Sequence, residues 1–290
     1  MAILLDKNSK ILVQGITGYQ GRFHTRQMLE YGSNVVAGVS PGKGGQEVEG
    51  VPVYNSAASA VRETDANVSA VMVPASFGKD AVFEAIDAGM DLVAIITEHI
   101  PVQDAMEIMA FARERGTTII GPNTFGIITP GQSKLGIMPN ESYQPGRTGL
   151  VARSGTLSYQ IAEGLSRVGV GQSTAIGLGG DRVVGSEFID MLEHFEQDPG
   201  TDQVVMVGEI GGTAEEEAAE FIANKMTKPV YAYIAGKSAP PGKRMGHAGA
   251  IIERGKGTFD SKVQALRSAG VEVASLPWEL VEILKKSGVQ

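Results

Sequence analysis

The sequence predicts an α/β protein built from two doubly wound units, each around a parallel sheet. Three observations predict it. Short apolar runs alternate with amphipathic stretches over residues 10–120 and again over 149–235, the pattern of strands covered by helices on both faces. Many of the 38 glycines stand just after those apolar runs, where strand-to-helix turns approach ligands. Residues 129–149 are rich in Pro and Gly and carry no sustained periodicity. We therefore expect a boundary near Gly146, dividing the 290 residues into 1–145 and 146–290.

In the first unit, Lys-Ile-Leu-Val-Gln at 10–14 reads as a strand. Glycines at 15, 18 and 21 follow, then a helical pattern through Tyr31 that Gly32 and Ser33 stop. Residues 34–39 are the next strand, so the segment is a βαβ unit with a glycine turn at the nucleotide-binding position. The spacing Gly-x-x-Gly-x-x-Gly is not the dinucleotide fingerprint, and amides at a helix start hold any phosphate. The second strand ends in Ser-Pro-Gly-Lys at 40–43 rather than in an acidic residue. A cation there suits a phosphorylated ribose, as in coenzyme A or NADP; the alternative for Lys43 is a solvated turn lysine. The pattern repeats with strands at 69–73, 92–96 and 117–120, and with helices over 79–88 and 101–115. Pro101 suits a first helical position. His24 and His99 read as structural.

Composition narrows the function. The formal net charge of −8 argues against non-specific nucleic-acid binding. The chain has no cysteine, which removes disulfides and thiolate chemistry and fits the cytoplasm. The first six residues predict no cleaved leader, and no apolar run approaches the ~20 residues of a membrane span.

In the second unit, residues 149–152 form a short strand, and Arg-Ser-Gly-Thr at 153–156 opens a helix from about 157 to 168. Ser154, Gly155 and Thr156 offer hydroxyls and free amides, an anion site or an ordinary cap. Strands at 173–177 and 204–208 follow; the latter leads into Glu209. Glu209 should face the rim where ligands bind. Glu215, Glu216 and Glu217 read as helix-start charges favoured by the dipole. The buried strand at 229–235 leads to a loop carrying His247 between Gly246 and Ala248. Small neighbours leave that imidazole uncovered and free to swing. It can act as base, acid, metal ligand or covalent nucleophile, or be an idle loop residue. Gly-Lys-Ser at 236–238 is not a P-loop, because Tyr231 stands where its first glycine belongs and Ala-Pro-Pro follows at 239–241.

Together these motifs resemble the α subunits of succinyl-CoA synthetases (succinate–CoA ligases). The resemblance runs through Gln-Gly-Ile-Thr-Gly-Tyr-Gln-Gly at 14–21, Pro-Gly-Lys-Gly-Gly at 41–45, Ile-Thr-Glu at 96–98 and Gly-Pro-Asn at 121–123. It continues through Arg-Ser-Gly-Thr-Leu at 153–157, Gly-Glu-Ile-Gly-Gly at 208–212 and Gly-Lys-Arg-Met-Gly-His-Ala-Gly-Ala-Ile at 242–251. It implies an N-terminal Rossmann-like CoA-binding domain and a C-terminal flavodoxin-like doubly wound domain with the phosphohistidine loop. It implies that His247 is phosphorylated in turnover, that Glu209 steadies its ring, and that Ser154 and Gly155 open the helix that receives the phosphate. Thr17, Gly18, Tyr19, Gln20, Lys43, Ile96, Thr97 and Glu98 would contact coenzyme A, and Tyr159 would lie near the acid. No metal site is expected on this chain. The resemblance assigns Mg2+ and ATP or GTP to a β subunit with an ATP-grasp domain.

Four positions depart from the family pattern: Thr124 and Phe125 where cysteine is common, Gln160 in place of glutamate, and Arg182 in place of a Pro-containing turn. The chemistry fits regardless. A carboxylate is a poor target for a thiol until phosphorylation gives it a leaving group, and a histidine can carry the phosphoryl group. The closest competing reading is a sister ligase of the malate–CoA type with the same mechanism. An NADP-dependent dehydrogenase leaves the His247 loop idle, and a coenzyme A-sensing module needs no second unit.

Overall fold

A computed structural model describes residues 3–240, 242–253 and 255–289. Pro241, the second proline of the step that argued against a phosphate loop, lies outside them, as do Met1 and Ala2 of the N-terminal segment.

The chain opens with β1 (Ile11–Gln14), α1 (Tyr19–Glu30) and β2 (Val35–Val39), as the apolar runs predict. A two-residue strand β3 (Glu47–Val48) and β4 (Val51–Tyr54) follow, then α2 (Ala57–Thr64) and β5 (Val68–Val71). Next come α3 (Gly78–Asp87), β6 (Leu92–Ile95), α4 (Val102–Arg115) and β7 (Thr118–Ile120). These strands form one sheet in the order β3-β4-β2-β1-β5-β6-β7. Without the antiparallel edge strand β3, the chain order across the sheet is 3-2-1-4-5-6, the Rossmann arrangement.

The second sheet begins early. β8 (Gly126–Thr129) and β9 (Ser133–Gly136) form a hairpin that adds antiparallel to its edge. Sequence periodicity gave no sign of these strands, because four residues carry too little period-2 pattern and both strands are buried throughout. The expected boundary near Gly146 falls at the start of β10 (Pro145–Ala152). Then follow α5 (Gly155–Arg167), β11 (Gln172–Gly177), α6 (Phe188–Gln197), β12 (Gln203–Glu209), α7 (Ala214–Lys225) and β13 (Val230–Ala235). The chain finishes with α8 (Phe259–Ser268), β14 (Glu272–Ala274) and α9 (Pro277–Ser287). The order is β14-β13-β12-β10-β11-β8-β9, parallel from β14 to β11, which is the flavodoxin arrangement extended by the hairpin.

One apolar cluster runs through both units, from Ile11 and Val13 by way of Ile120, Ile127 and Leu135 to Ile176 and Phe195. The hairpin also bonds the first unit directly. Thr129 Oγ1 donates to the Leu5 carbonyl at 2.7 Å, the Lys134 amide to Ser33 Oγ at 2.8 Å, and the Gly131 amide to the Tyr31 hydroxyl at 3.0 Å. In each sheet the strand order reverses beside the first parallel strand, β1 or β10, and ligands bind beyond the carboxyl ends at such switch points. Here those two ends face each other across a single cleft.

Candidate active site

That cleft holds about 750 Å3. Its first wall comes from the strand ends of the N-terminal unit: Gln20 on α1, residues 72–75 after β5, and Ile96, Thr97, Glu98 and His99 after β6. Its second wall comes from Arg153, Ser154, Gly155 and Thr156 after β10, with Tyr159 and His247. Asn123, Thr124 and Phe125, where the chain passes from one sheet to the other, close the floor.

The glycine turn shapes the first wall. A Cβ at Gly21 would lie 2.2 Å from the Gly15 carbonyl oxygen, so only glycine lets α1 start this close to β1. Gly18 caps α1 with no side-chain hydrogen bond, which leaves the first amides of the helix free for a ligand. Lys43 Nζ donates to Thr17 Oγ1 at 3.1 Å, and Thr17 in turn donates to Ser40 Oγ at 2.9 Å. This places the cation of the second strand end on the glycine turn. Thr97 is buried and donates to the Val73 carbonyl at 2.7 Å. Tyr19 is 84% exposed. Thr17, Gly18, Tyr19 and Lys43 thus gather around the start of α1, while Gln20, Ile96, Thr97 and Glu98 line the cleft itself.

The second wall is built on a helix start. Ser154 caps α5 and its hydroxyl oxygen accepts from the Leu157 amide at 3.5 Å. Tyr159, one turn on, stacks edge-on against Phe125 at 5.6 Å, and burial pushes its hydroxyl well above the ordinary phenol range. Arg153 has a side chain only 12% exposed; it pairs with Glu187 at 3.3 Å, and its Nε has no partner among the described residues.

His247 is held, contrary to the expectation of a free ring. Its Nδ1 donates to Glu209 Oε2 at 2.8 Å, and its side chain is 27% exposed. A Cβ at Gly180 would come within 2.4 Å of the ring, so the small residue that mattered lies across the fold rather than beside the histidine. The loop is folded on itself as well. The Met245 amide donates to the Ala250 carbonyl at 2.9 Å, and the Gly249 amide docks on the Gly180 carbonyl at 3.0 Å. Arg182 ties it down, donating to the Ala248 carbonyl at 3.3 Å and to Glu253 at 2.5 Å.

Glu209 is the last residue of β12, with a side chain 8% exposed and with Oε1 unpartnered among the described residues. The Glu209 hydrogen bond raises the His247 pKa above 6.5; burial and Arg153 oppose the rise and Asp181 adds to it. With Nδ1 committed to a carboxylate, Nε2 is the nitrogen left for chemistry.

Several residues here were not singled out as site residues from sequence. Arg153 stood in a quoted motif without a role. His24, read as structural, lines the cleft; burial, with Lys134 nearby, lowers its pKa to about 4. Asn123 donates to Asp181 Oδ1 at 3.2 Å across the two units. Glu215 stands in the first turn of α7 as a helix-start charge, as expected, but it is fully buried there, which the sequence did not signal. No period or spacing signals contacts between segments this far apart.

Two family models match the chain: a CoA binding domain over residues 6–99 and a CoA-ligase domain over 151–272. A succinate–CoA ligase [ADP-forming] subunit alpha from Methanothermobacter thermautotrophicus is 60% identical, covering 99% of this chain and 98% of its own. A succinate–CoA ligase [ADP-forming] subunit alpha 2 from Archaeoglobus fulgidus is 57% identical, covering 98% and 99%. Among solved structures, ATP citrate lyase from Methanosaeta concilii in complex with (3S)-citryl-CoA aligns with a TM-score of 0.90 at 26% identity. The match covers 98% of this chain but only 51% of that one.

Proposed function

We infer the activity from one premise: the chain belongs to the family of succinate–CoA ligase α subunits. It is the coenzyme A-binding subunit of an acid–thiol ligase and works with a β partner. The reaction joins succinate to coenzyme A using a nucleoside triphosphate, and it is reversible.

The observation that carries the mechanism is the 2.8 Å contact between His247 Nδ1 and Glu209, on a ring that lines a cleft shared by both units. His247 Nε2 takes the terminal phosphoryl group as the bond to the leaving nucleoside diphosphate breaks. Glu209 stabilises the positive charge that develops on the ring. Ser154, Gly155 and Thr156, at the start of α5, hold the phosphoryl oxygens. A succinate carboxylate oxygen, oriented near Tyr159, attacks the phosphorus; the N–P bond breaks and succinyl phosphate forms. The sulfur of coenzyme A then attacks the acyl carbon, losing its proton, and phosphate leaves with the C–O bond electrons.

The division of labour follows the two units. Residues 1–145 bind coenzyme A through Thr17, Gly18, Tyr19, Gln20, Lys43, Ile96, Thr97 and Glu98, and residues 146–290 carry the histidine. The nucleotide and Mg2+ sit on the β subunit, in an ATP-grasp domain, and the enzyme works in the cytoplasm. A sister dicarboxylate ligase of the malate–CoA type is the second reading. It rests on Thr124 and Phe125, departures from the family pattern that line the cleft, Phe125 packing against Tyr159.

The test is to incubate the assembled enzyme with γ-labelled nucleotide. Label should appear on His247, stable in base and lost in acid, and a dicarboxylate panel should show preference for succinate. His247→Asn should carry no label and form no succinyl-CoA while still binding coenzyme A. Acid-stable label on serine overturns the mechanism.

A further inference from the structure

Behind Glu209 lies a second pair of charges that the mechanism does not use. Glu215, in the first turn of α7, and Lys262, in α8, are both fully buried and paired with each other. Glu216 approaches the same Lys262 ammonium at 3.2 Å. The other oxygen of Glu215 accepts from the backbone amide of Glu209 at 3.0 Å. We propose that the Glu215 oxygen accepting from the Glu209 amide, on a side chain seated against Lys262, positions Glu209, and through it the imidazole of His247. The proposal rests on the reading of His247 as the phosphoryl carrier.

Three observations support it. First, Glu209 has little else to orient it. One carboxylate oxygen meets His247 and the other is buried with no partner among the described residues, so the direction of the side chain depends on where its main chain is held. Second, the fold reserves space for this contact. A Cβ at Gly208 would lie 2.7 Å from both Cγ and Oε1 of Glu215, so a glycine beside Glu209 admits the carboxylate. Third, a buried ion pair is a poor device for stability alone. Removing two charges from water costs about as much as their attraction returns, and an apolar pair of similar size packs as well. What an apolar pair cannot supply is an acceptor for the Glu209 amide. A reacting nitrogen must be held within about 0.5 Å of its productive place, and this acceptor fixes the far end of that chain of contacts.

Two paired variants separate positioning from bulk stability. Glu215→Gln with Lys262→Met removes both charges and keeps an oxygen for the Glu209 amide. Glu215→Leu with Lys262→Met removes the charges and the acceptor together. Each is made in the assembled two-subunit enzyme and assayed for kcat, for KM of coenzyme A and for the rate of His247 labelling.

The Leu/Met pair should lose about 10- to 100-fold in kcat and labelling with KM for coenzyme A within about twofold. The Gln/Met pair should stay within about threefold of the parent on all three. Parent-like labelling in the Leu/Met pair overturns the proposal, and so does equal loss in both pairs. Should the Leu/Met chain fail to fold, Gly208→Ala displaces the same carboxylate, and unchanged labelling there overturns it equally. A parent enzyme with no acid-labile label on His247 sinks the carrier reading instead, so the two failures are distinguishable.

Discussion

Glu209 Oε2 accepts from His247 Nδ1 at 2.8 Å, and this contact fixes both the tautomer and the titration of the ring. The carboxylate raises the His247 pKa above 6.5. If His247 is the phosphoryl carrier, its ring accepts the group only while Nε2 is unprotonated, so labelling should fall as pH drops through that raised value. Glu209→Gln removes the main cause of the rise. The acid limb should move to lower pH, and the plateau rate should drop by about 10- to 100-fold. Labelling rates between about pH 5 and 9 check this; a limb that stays in place contradicts it.

Gly180 sits against the imidazole, and an added Cβ would meet its Cγ at 2.4 Å. Gly180→Ala should therefore push the ring aside. A displacement of about 1 Å costs on the order of 100-fold in rate, so labelling should fall by about that much while coenzyme A binding stays intact. Equilibrium binding and labelling measured on one preparation decide the matter.

Arg182 ties the loop at Ala248 and Glu253, yet its guanidinium side chain is half exposed. An exposed pair is worth at most about 1 kcal/mol. Arg182→Ala should leave the melting temperature nearly unchanged but loosen the loop. Trypsin should then cut faster after Lys243 or Arg244, both exposed in the folded chain. Equal cleavage rates in parent and variant would remove Arg182 from this role.

Lys43 lies on the glycine turn, bonded to Thr17. If it binds a phosphate of coenzyme A, Lys43→Met should raise KM for coenzyme A about 10-fold with kcat unchanged. The parent's KM should also rise with salt more steeply than the variant's. Steady-state kinetics at two ionic strengths give both readouts.

His24 couples stability to acid. The unfolded chain takes up this proton near 6.5 and the folded chain only near 4. The stability it contributes is present above pH 6.5 and is lost as pH falls toward 4. After allowance for solvent screening of a half-exposed ring, the loss is about 1–2 kcal/mol. His24→Asn should flatten the decline in thermal stability over that window, which calorimetry at neutral and acid pH would record.

How much of this could be read from the chain depends on the range of each contact. The parallel strands and their helices were legible because each announces itself in a few consecutive residues, as 10–14 and 204–208 do. Strand ends gave Glu209, and a specific motif gave His247. The hairpin at 126–136 was not legible, since its short buried strands alternate nothing. Nor were Gly180 under the ring, Glu215 under Glu209, or His24 in the cleft. Glu215 is the clearest case. Three glutamates opening a helix look alike in sequence, and only the fold turns two of them toward Lys262 and buries Glu215 completely.

The passage between the two sheets has one more consequence. Only residues 121–125 separate β7 from β8, and three of them are the cleft floor. A tether that short leaves no slack for the walls to drift apart. The two rims of the cleft are therefore held at a set gauge by the same short passage that lays its floor.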